Sequence, residues 1–276
     1  MILDELIFII YINNERGIIM GFEILIILLA GWGAGIVTGL VGASAVVIVA
    51  PILITFLGYN PYTAIGISLA TDIFASSISA YTYHKNGNLK LKEGLYLALA
   101  SVTAAIIGSW LSNFMSAYLQ GGSTGFVILF MGISFLRKPL DERLKDFQDK
   151  FDLSFWKKRK IFAAIFFGGL IGLMTGFFGA GGGMMILIVL TFIYGFSVHA
   201  AIGTSVLIMT FNALFGASSH FMVEQNIPIL EVLISGVGGL IGAIMAAVYA
   251  NTISEKSLSK VIGVAFILLG IVSVIN

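Results

Sequence analysis

Asp72 lies ten residues into the apolar stretch 62–83 and is the only charged residue within it. A carboxylate in such a segment is costly, so a functional role is the default reading; a structural Asp, protonated or bonded to serine, is the alternative. Ser68, one helical turn earlier, and Ser76, one turn later, fall on its face. The chemistry open to this group is proton carriage. An anion bound about 5 Å away would repel the carboxylate by roughly 3 kcal/mol at an effective dielectric of about 20. Anion binding and proton uptake then favour each other, and the coupling is reciprocal. A sodium ion held by Asp72, Ser68 and Ser76 is the alternative.

The second chemical feature is the stretch TGFFGAGGGMM, residues 175–185. Gly179, Gly181, Gly182 and Gly183 stand where a membrane helix would favour leucine, at about 1 kcal/mol each relative to alanine if helical. A chain break explains them. A helix starting near Met184 would then offer unpaired N–H groups and its positive dipole end to an anion. Backbone of that kind is tolerated within a membrane only when buried or lining a cavity. The candidate anion site is Gly179, Ala180, Gly181, Gly182 and Gly183, with Gly42, Ala43 and Ser44 from an earlier, similar turn. Ser68, Thr204, Ser205 and Asn212 are further candidate ligands, although Ser and Thr in membrane helices often bond their own backbone.

The elements that must position these residues are membrane segments. Hydrophobic residues make up 58% of the 276 and charged residues 11%, against about a quarter charged in soluble domains. Apolar segments fall at 22–40, 45–57, 62–83, 94–113 and 117–136, then at 161–178, 184–195, 198–221, 229–250 and 258–275. Segments 45–57 and 184–195 are too short to cross a core of about 30 Å upright, so they are either tilted spans or the returning arms of re-entrant hairpins. Residues 1–20 carry Asp4 and Glu5 and a short apolar run, Leu6 to Ile12; an interfacial segment is expected rather than a signal peptide.

Nine of the fifteen Lys and Arg lie in residues 137–160, with five acids interleaved. This linker is therefore expected in the cytoplasm, between membrane units at 21–136 and 161–276. The loops with Lys85, Lys90 and Lys92 and with Lys256 and Lys260 land on the same side. Loops 58–61 and 222–227 contain no Lys or Arg and land outside, as do both termini. The location expected is the cell membrane.

The two units repeat. Gly31, Gly35, Gly39 and Gly42 match Gly168, Gly172, Gly176 and Gly179 at an offset of 137 residues, and Thr38 matches Thr175. The same offset carries Gly58 onto Gly195 and AIGIS (64–68) onto AIGTS (201–205). Six glycine matches at one offset signal an internal repeat. The first unit begins outside and the second inside, so the repeats are inverted, as in many secondary transporters. The fold class is thus an all-α polytopic membrane protein of two inverted repeats, each with a glycine-broken short or re-entrant hairpin plus three spanning helices. Gly31, Gly35 and Gly39 share a helix face, and close helix packing accounts for them and their partners.

The doubled TGxxGA turn, the glycine run, Pro51 in the returning arm and the AIGxS pair resemble the sulfite exporter TauE/SafE family of membrane permeases, over about residues 22–275. The resemblance implies export or permeation of small sulfur oxyanions or organosulfonates, without a bound cofactor. One departure stands out: the first turn reads Gly42-Ala43-Ser44-Ala45 and lacks the glycine run of the second. The two hairpins are therefore expected to contribute unequally, with a Ser44 hydroxyl where Gly181 has only backbone.

The leading reading is a proton-coupled secondary carrier for a small sulfur-containing anion. An anion channel with the same hairpins is the alternative. An intramembrane enzyme would need a partner for Asp72, and none is evident. The absence of cysteine excludes disulfides and thiolate metal sites, and no GxxxxGK[ST] motif appears. His84, His199 and His220 fall near segment ends as interfacial or loop residues and suggest no metal site. A net charge of +1 makes no case for nucleic acid. The expected partners are the anion, the lipid bilayer and protons, or sodium in their place; a homodimer is an open option.

Overall fold

In a computed structural model of the chain, the described residues are 2–112, 153–178, 182–223, 227–254 and scattered positions between 256 and 267. The apolar segment 117–136, most of the linker and most of 258–275 lie outside them. The described residues form α1 (Ile2–Val41), α2 (Val46–Leu57), α3 (Pro61–Lys85), α4 (Leu91–Ser112), α5 (Ser154–Lys158), α6 (Lys160–Phe178), α7 (Gly182–Phe192), α8 (Val198–Val223) and α9 (Ile229–Thr252), and among them there is no strand. Among the described residues five stretches are long and apolar enough to cross a membrane: Met20–Val41, Pro61–Lys85, Gly94–Leu111, Val198–Met222 and Ile229–Thr252.

Local chemistry explains the boundaries. The Asn60 side chain accepts from Tyr62 N at 2.9 Å and Pro61 opens α3, so cap and first-turn proline act together. The short helices α2 and α7 are followed by Gly58 and Gly195 with φ of 68° and 71°, a left-handed conformation that glycine adopts without steric cost. At twelve and eleven residues, α2 and α7 rise only about 18 and 16 Å. No break separates residues 2–20 from the span that follows: α1 runs through both as one helix of 40 residues.

Glycine faces set the closest packing. A Cβ at Gly31, Gly35 or Gly39 of α1 would overlap the carbonyl oxygen of Ser235, Gly239 or Ala243 of α9. In α6, Gly168, Gly172 and Gly176 lie in the same way against the carbonyls of Leu97, Ser101 and Ala105 of α4. Both pairs run parallel, residue numbers rising together along each seam. The offset of 137 carries α1 onto α6, α2 onto α7, α3 onto α8 and α4 nearly onto α9. The contacts follow: α1–α9 maps onto α6–α4, α3–α9 onto α8–α4, α2–α3 onto α7–α8 and α1–α2 onto α6–α7, while α3 and α8 pack on each other at the centre.

Side-chain contacts define the two ends of the bundle. At one end, Tyr59 Oη donates to Glu231 Oε1 at 2.9 Å, and the rings of Tyr62 and His220 lie 4.2 Å apart. Burial, the hydrogen bond to Glu231 and the nearby carboxylate charges of Glu231 and Glu23 push the Tyr59 phenol up to about 12, so it stays a neutral donor. At the other end, Lys90 N donates to Thr204 Oγ1 at 3.1 Å, Asn88 Nδ2 to Asn251 Oδ1 at 2.8 Å, and Tyr194 Oη to the Lys160 carbonyl at 2.9 Å. The end of α7 thus returns to the start of α6. In the other hairpin α2 ends beside Glu231, at the end where α9 and the parallel Met20–Val41 stretch of α1 begin. Both short helices turn back inside the bundle, from opposite ends.

The outer surface is apolar, with Phe56, Trp110, Ile165 and Val248 all more than half exposed. An apolar outside of this kind is solvated by lipid rather than water.

Candidate functional site

Asp72 reaches the start of α2, and its carboxylate takes the place of a helix cap. Ser44 Oγ donates to Oδ2 at 2.5 Å and Ala45 N donates to Oδ1 at 2.6 Å. The Val46 N–H is in turn directed to Ser44 Oγ at 3.3 Å. The turn preceding α2 is held by Gly42 at φ 68° and by Thr38, whose Oγ1 donates to the Ala43 carbonyl at 2.8 Å. Asp72 is 1% exposed, and Gly42, Ala43 and Ser44 are buried around it. Two donors and the N-terminal end of α2 converge on one buried carboxylate. In the first hairpin the chain's own Asp72 side chain occupies these donors.

The second hairpin meets the first. A Cβ on Gly183 would overlap the carbonyl oxygen of Gly42 and lie 2.8 Å from Met209 Sδ, while one on Gly182 would overlap Thr175 Oγ1. The sequence places the chain break across the whole glycine run, but Gly182 and Gly183 are the first residues of α7, and their lack of a side chain serves the approach of the two tips. Gly179, Ala180 and Gly181 lie outside the described residues. Met209 stands in the repeat position of Asp72, so no carboxylate from that position reaches the second tip.

The remaining candidates have varied surroundings. Ser68 Oγ donates to the Ala64 carbonyl at 2.6 Å, and Ser76 Oγ bonds the Asp72 backbone carbonyl at 2.5 Å and Thr210 Oγ1 at 2.8 Å. Neither hydroxyl bonds the Asp72 carboxylate. Thr204 accepts from Lys90 N at the start of α4, toward the end of the bundle. Its neighbour Ser205 faces the first tip: a Cβ on Gly42 would lie 2.8 Å from Ser205 Oγ, which donates to the Ile202 carbonyl. Asn212 is 1% exposed; its Oδ1 accepts from Ser101 Oγ at 3.1 Å, and its Nδ2 has no partner. Sequence reasoning missed Ser101 and Thr210, whose hydroxyls look like ordinary membrane-helix serines and threonines. It also missed Tyr83, buried with its Oη on the Gly39 carbonyl at 3.0 Å. His220, expected as an interfacial or loop residue, is 1% exposed with both ring nitrogens unpartnered. Among the described residues no three His, Asp or Glu side chains gather as a metal site.

A helical bundle with an apolar outside, five membrane-length helices among the described residues and two interior hairpin tips defines a multi-pass membrane protein of transporter type. The chain belongs to the Sulfite exporter TauE/SafE family, whose model matches residues 27–273. It is similar to the probable membrane transporter protein YunE of Bacillus subtilis, 24% identical over 91% of this chain and 96% of the relative. YdhB of the same organism, also a probable membrane transporter protein, is 25% identical over 86% and 95%. A probable membrane transporter protein of Xylella fastidiosa is 26% identical over 91% and 95%. No solved structure matches the chain.

Proposed function

We propose that this transporter is a secondary carrier of a small sulfur oxyanion or organosulfonate, coupled to protons through Asp72. The observation that carries the reading is the seat of the Asp72 carboxylate on Ser44 Oγ and Ala45 N, next to the contact between the two hairpin tips. A charged Asp72 occupies both donors. A protonated Asp72 accepts more weakly and carries a hydrogen that needs an acceptor, so proton uptake loosens the seat while removing a like charge. A substrate anion at the tips then gains donors and loses repulsion together. Linkage makes the effect mutual: bound anion favours the protonated Asp72.

The two halves divide the work. The first tip holds the resident carboxylate, and the second, with Met209 in place of an acid, is left for the substrate. Two inverted repeats in the membrane suit this reading, supported by the matched helix contacts and by hairpins that turn back from opposite ends. With the lysine-rich end in the cytoplasm, both termini lie outside the cell membrane.

The test is flux into liposomes holding the purified protein, for sulfite, thiosulfate, an organosulfonate and a small carboxylate, with and without an imposed proton gradient. Saturable uptake of a sulfur oxyanion that accumulates with the proton gradient supports the reading. Non-saturable flux that no gradient can drive uphill identifies a channel. Accumulation that follows sodium and ignores pH replaces protons with sodium.

A further inference from the structure

Four consecutive cations, Lys157, Lys158, Arg159 and Lys160, join α5 to α6. The backbone leaves helical geometry at Arg159 (φ −116°, ψ 59°), which spreads the four side chains around a groove of about 710 Å³. The groove is completed by Ile161, Phe162 and Ile165. Among the described residues none of the four cations has a carboxylate partner. Arg159 lies 4.9 Å over the Phe155 ring and Lys160 5.8 Å over Tyr194.

Below the rim the surface is hydrocarbon. Ile161, Phe162 and Ile165 are 54%, 49% and 59% exposed, and Phe166, Leu170 and Leu173 continue the apolar face down α6. The junction is also held in place. Trp156 stacks on Phe162 at 5.7 Å with 17° between planes, and lies 4.8 Å from Phe167 and 5.3 Å from Phe166. Tryptophan is favoured at the headgroup level of a membrane, which puts the cations among phosphates and the apolar face among acyl chains.

We propose that this groove binds one anionic glycerophospholipid of the leaflet at which α6 begins, with Lys157, Lys158, Arg159 and Lys160 around the phosphate and an acyl chain along Ile161, Phe162 and Ile165. Charge and polarity select that occupant. A free phosphate would leave the apolar wall without a partner, and a zwitterionic lipid carries its own cation against four others. Juxtamembrane cations attract anionic headgroups strongly enough that each is worth roughly fivefold in affinity. The site is separate from the hairpin tips and does not depend on which anion they carry.

The test uses full-length protein with Trp32→Phe and Trp110→Phe, so that Trp156 alone fluoresces, in bilayers containing either brominated phosphatidylglycerol or brominated phosphatidylcholine. Phosphatidylglycerol is expected to quench Trp156 at a clearly lower mole fraction, and millimolar inorganic phosphate is expected to leave that quenching unchanged. Replacing Lys157, Lys158, Arg159 and Lys160 by Gln should abolish the preference, each single Gln should weaken it roughly fivefold, and Lys→Arg at the three lysines should retain it. Equal quenching by the two lipids in the protein with all four cations overturns the proposal without recourse to the variants. So does a preference that survives all four Gln changes, or displacement of the lipid by free phosphate.

Discussion

Ser44 and Asp72, 28 residues apart in the chain, are joined by a hydrogen bond of 2.5 Å that ties the tip of the first hairpin to the middle of α3. Asparagine at 72 can keep the Ala45 N–H on its oxygen and donate to Ser44 from its nitrogen, so Asp72→Asn is expected to fold. It cannot change charge. Transport by this variant is expected to persist while its pH dependence and its proton-driven accumulation disappear. The measurement is initial uptake across a pH series in proteoliposomes; an unchanged pH profile makes Asp72 structural.

Asp72→Ala differs in kind. It leaves the Ser44 hydroxyl and the Ala45 N–H buried without their acceptor, at about 1–3 kcal/mol each. Its melting temperature in detergent is expected to fall below those of both the parent and Asp72→Asn. Equal melting of Ala and Asn variants would show that the carboxylate seat contributes nothing to the hairpin.

Met209 is the repeat counterpart of Asp72 and touches the space beside Gly183. Met209→Asp is expected to bring a second carboxylate to the tip proposed for substrate and to cut anion uptake at least tenfold at neutral pH, with partial recovery in acid. Met209→Leu, of similar volume, is expected to transport nearly normally. Uptake by Met209→Asp that matches the parent at neutral pH removes the second tip from the pathway.

Neighbouring glycines are expected to behave oppositely. A Cβ at Gly35 or Gly172 meets backbone oxygen, whereas one at Gly33 or Gly169 meets nothing within 4 Å. Gly35→Ala and Gly172→Ala should force the α1–α9 and α4–α6 seams apart and destabilise by about 1–3 kcal/mol. Gly33→Ala and Gly169→Ala should be neutral or gain up to about 1 kcal/mol from helix propensity. Thermal unfolding of the four variants gives the ranking directly.

The chain has no cysteine, so single thiols report sidedness cleanly. Ser154→Cys stands at the lysine-rich end and Ile227→Cys beside the Tyr59–Glu231 end. An impermeant thiol reagent added to intact cells is expected to label position 227 and spare 154. Labelling of 154 from outside reverses the orientation.

Much of this architecture is legible from composition and spacing. Membrane segments declare themselves because about twenty apolar residues are needed to cross a bilayer, and Asp72 stands out because charge is rare there. The glycine spacing at 31, 35 and 39 marks a packing face for the same reason: only a missing side chain admits a neighbouring backbone. Those signals are local, and each can be read within a few helical turns. What they leave open is the partner. Only the folded chain pairs the α1 glycines with Ser235, Gly239 and Ala243 about 200 residues away, turns α2 and α7 back toward their own ends, and sets Gly183 against Gly42. It also decides that the Asp72 carboxylate faces Ser44 and Ala45, while Ser68 and Ser76, its neighbours on the helix face, bond backbone carbonyls instead. Periodicity fixes which face a side chain occupies, but the donors that meet it come from other helices, and their positions follow from packing between segments remote in sequence.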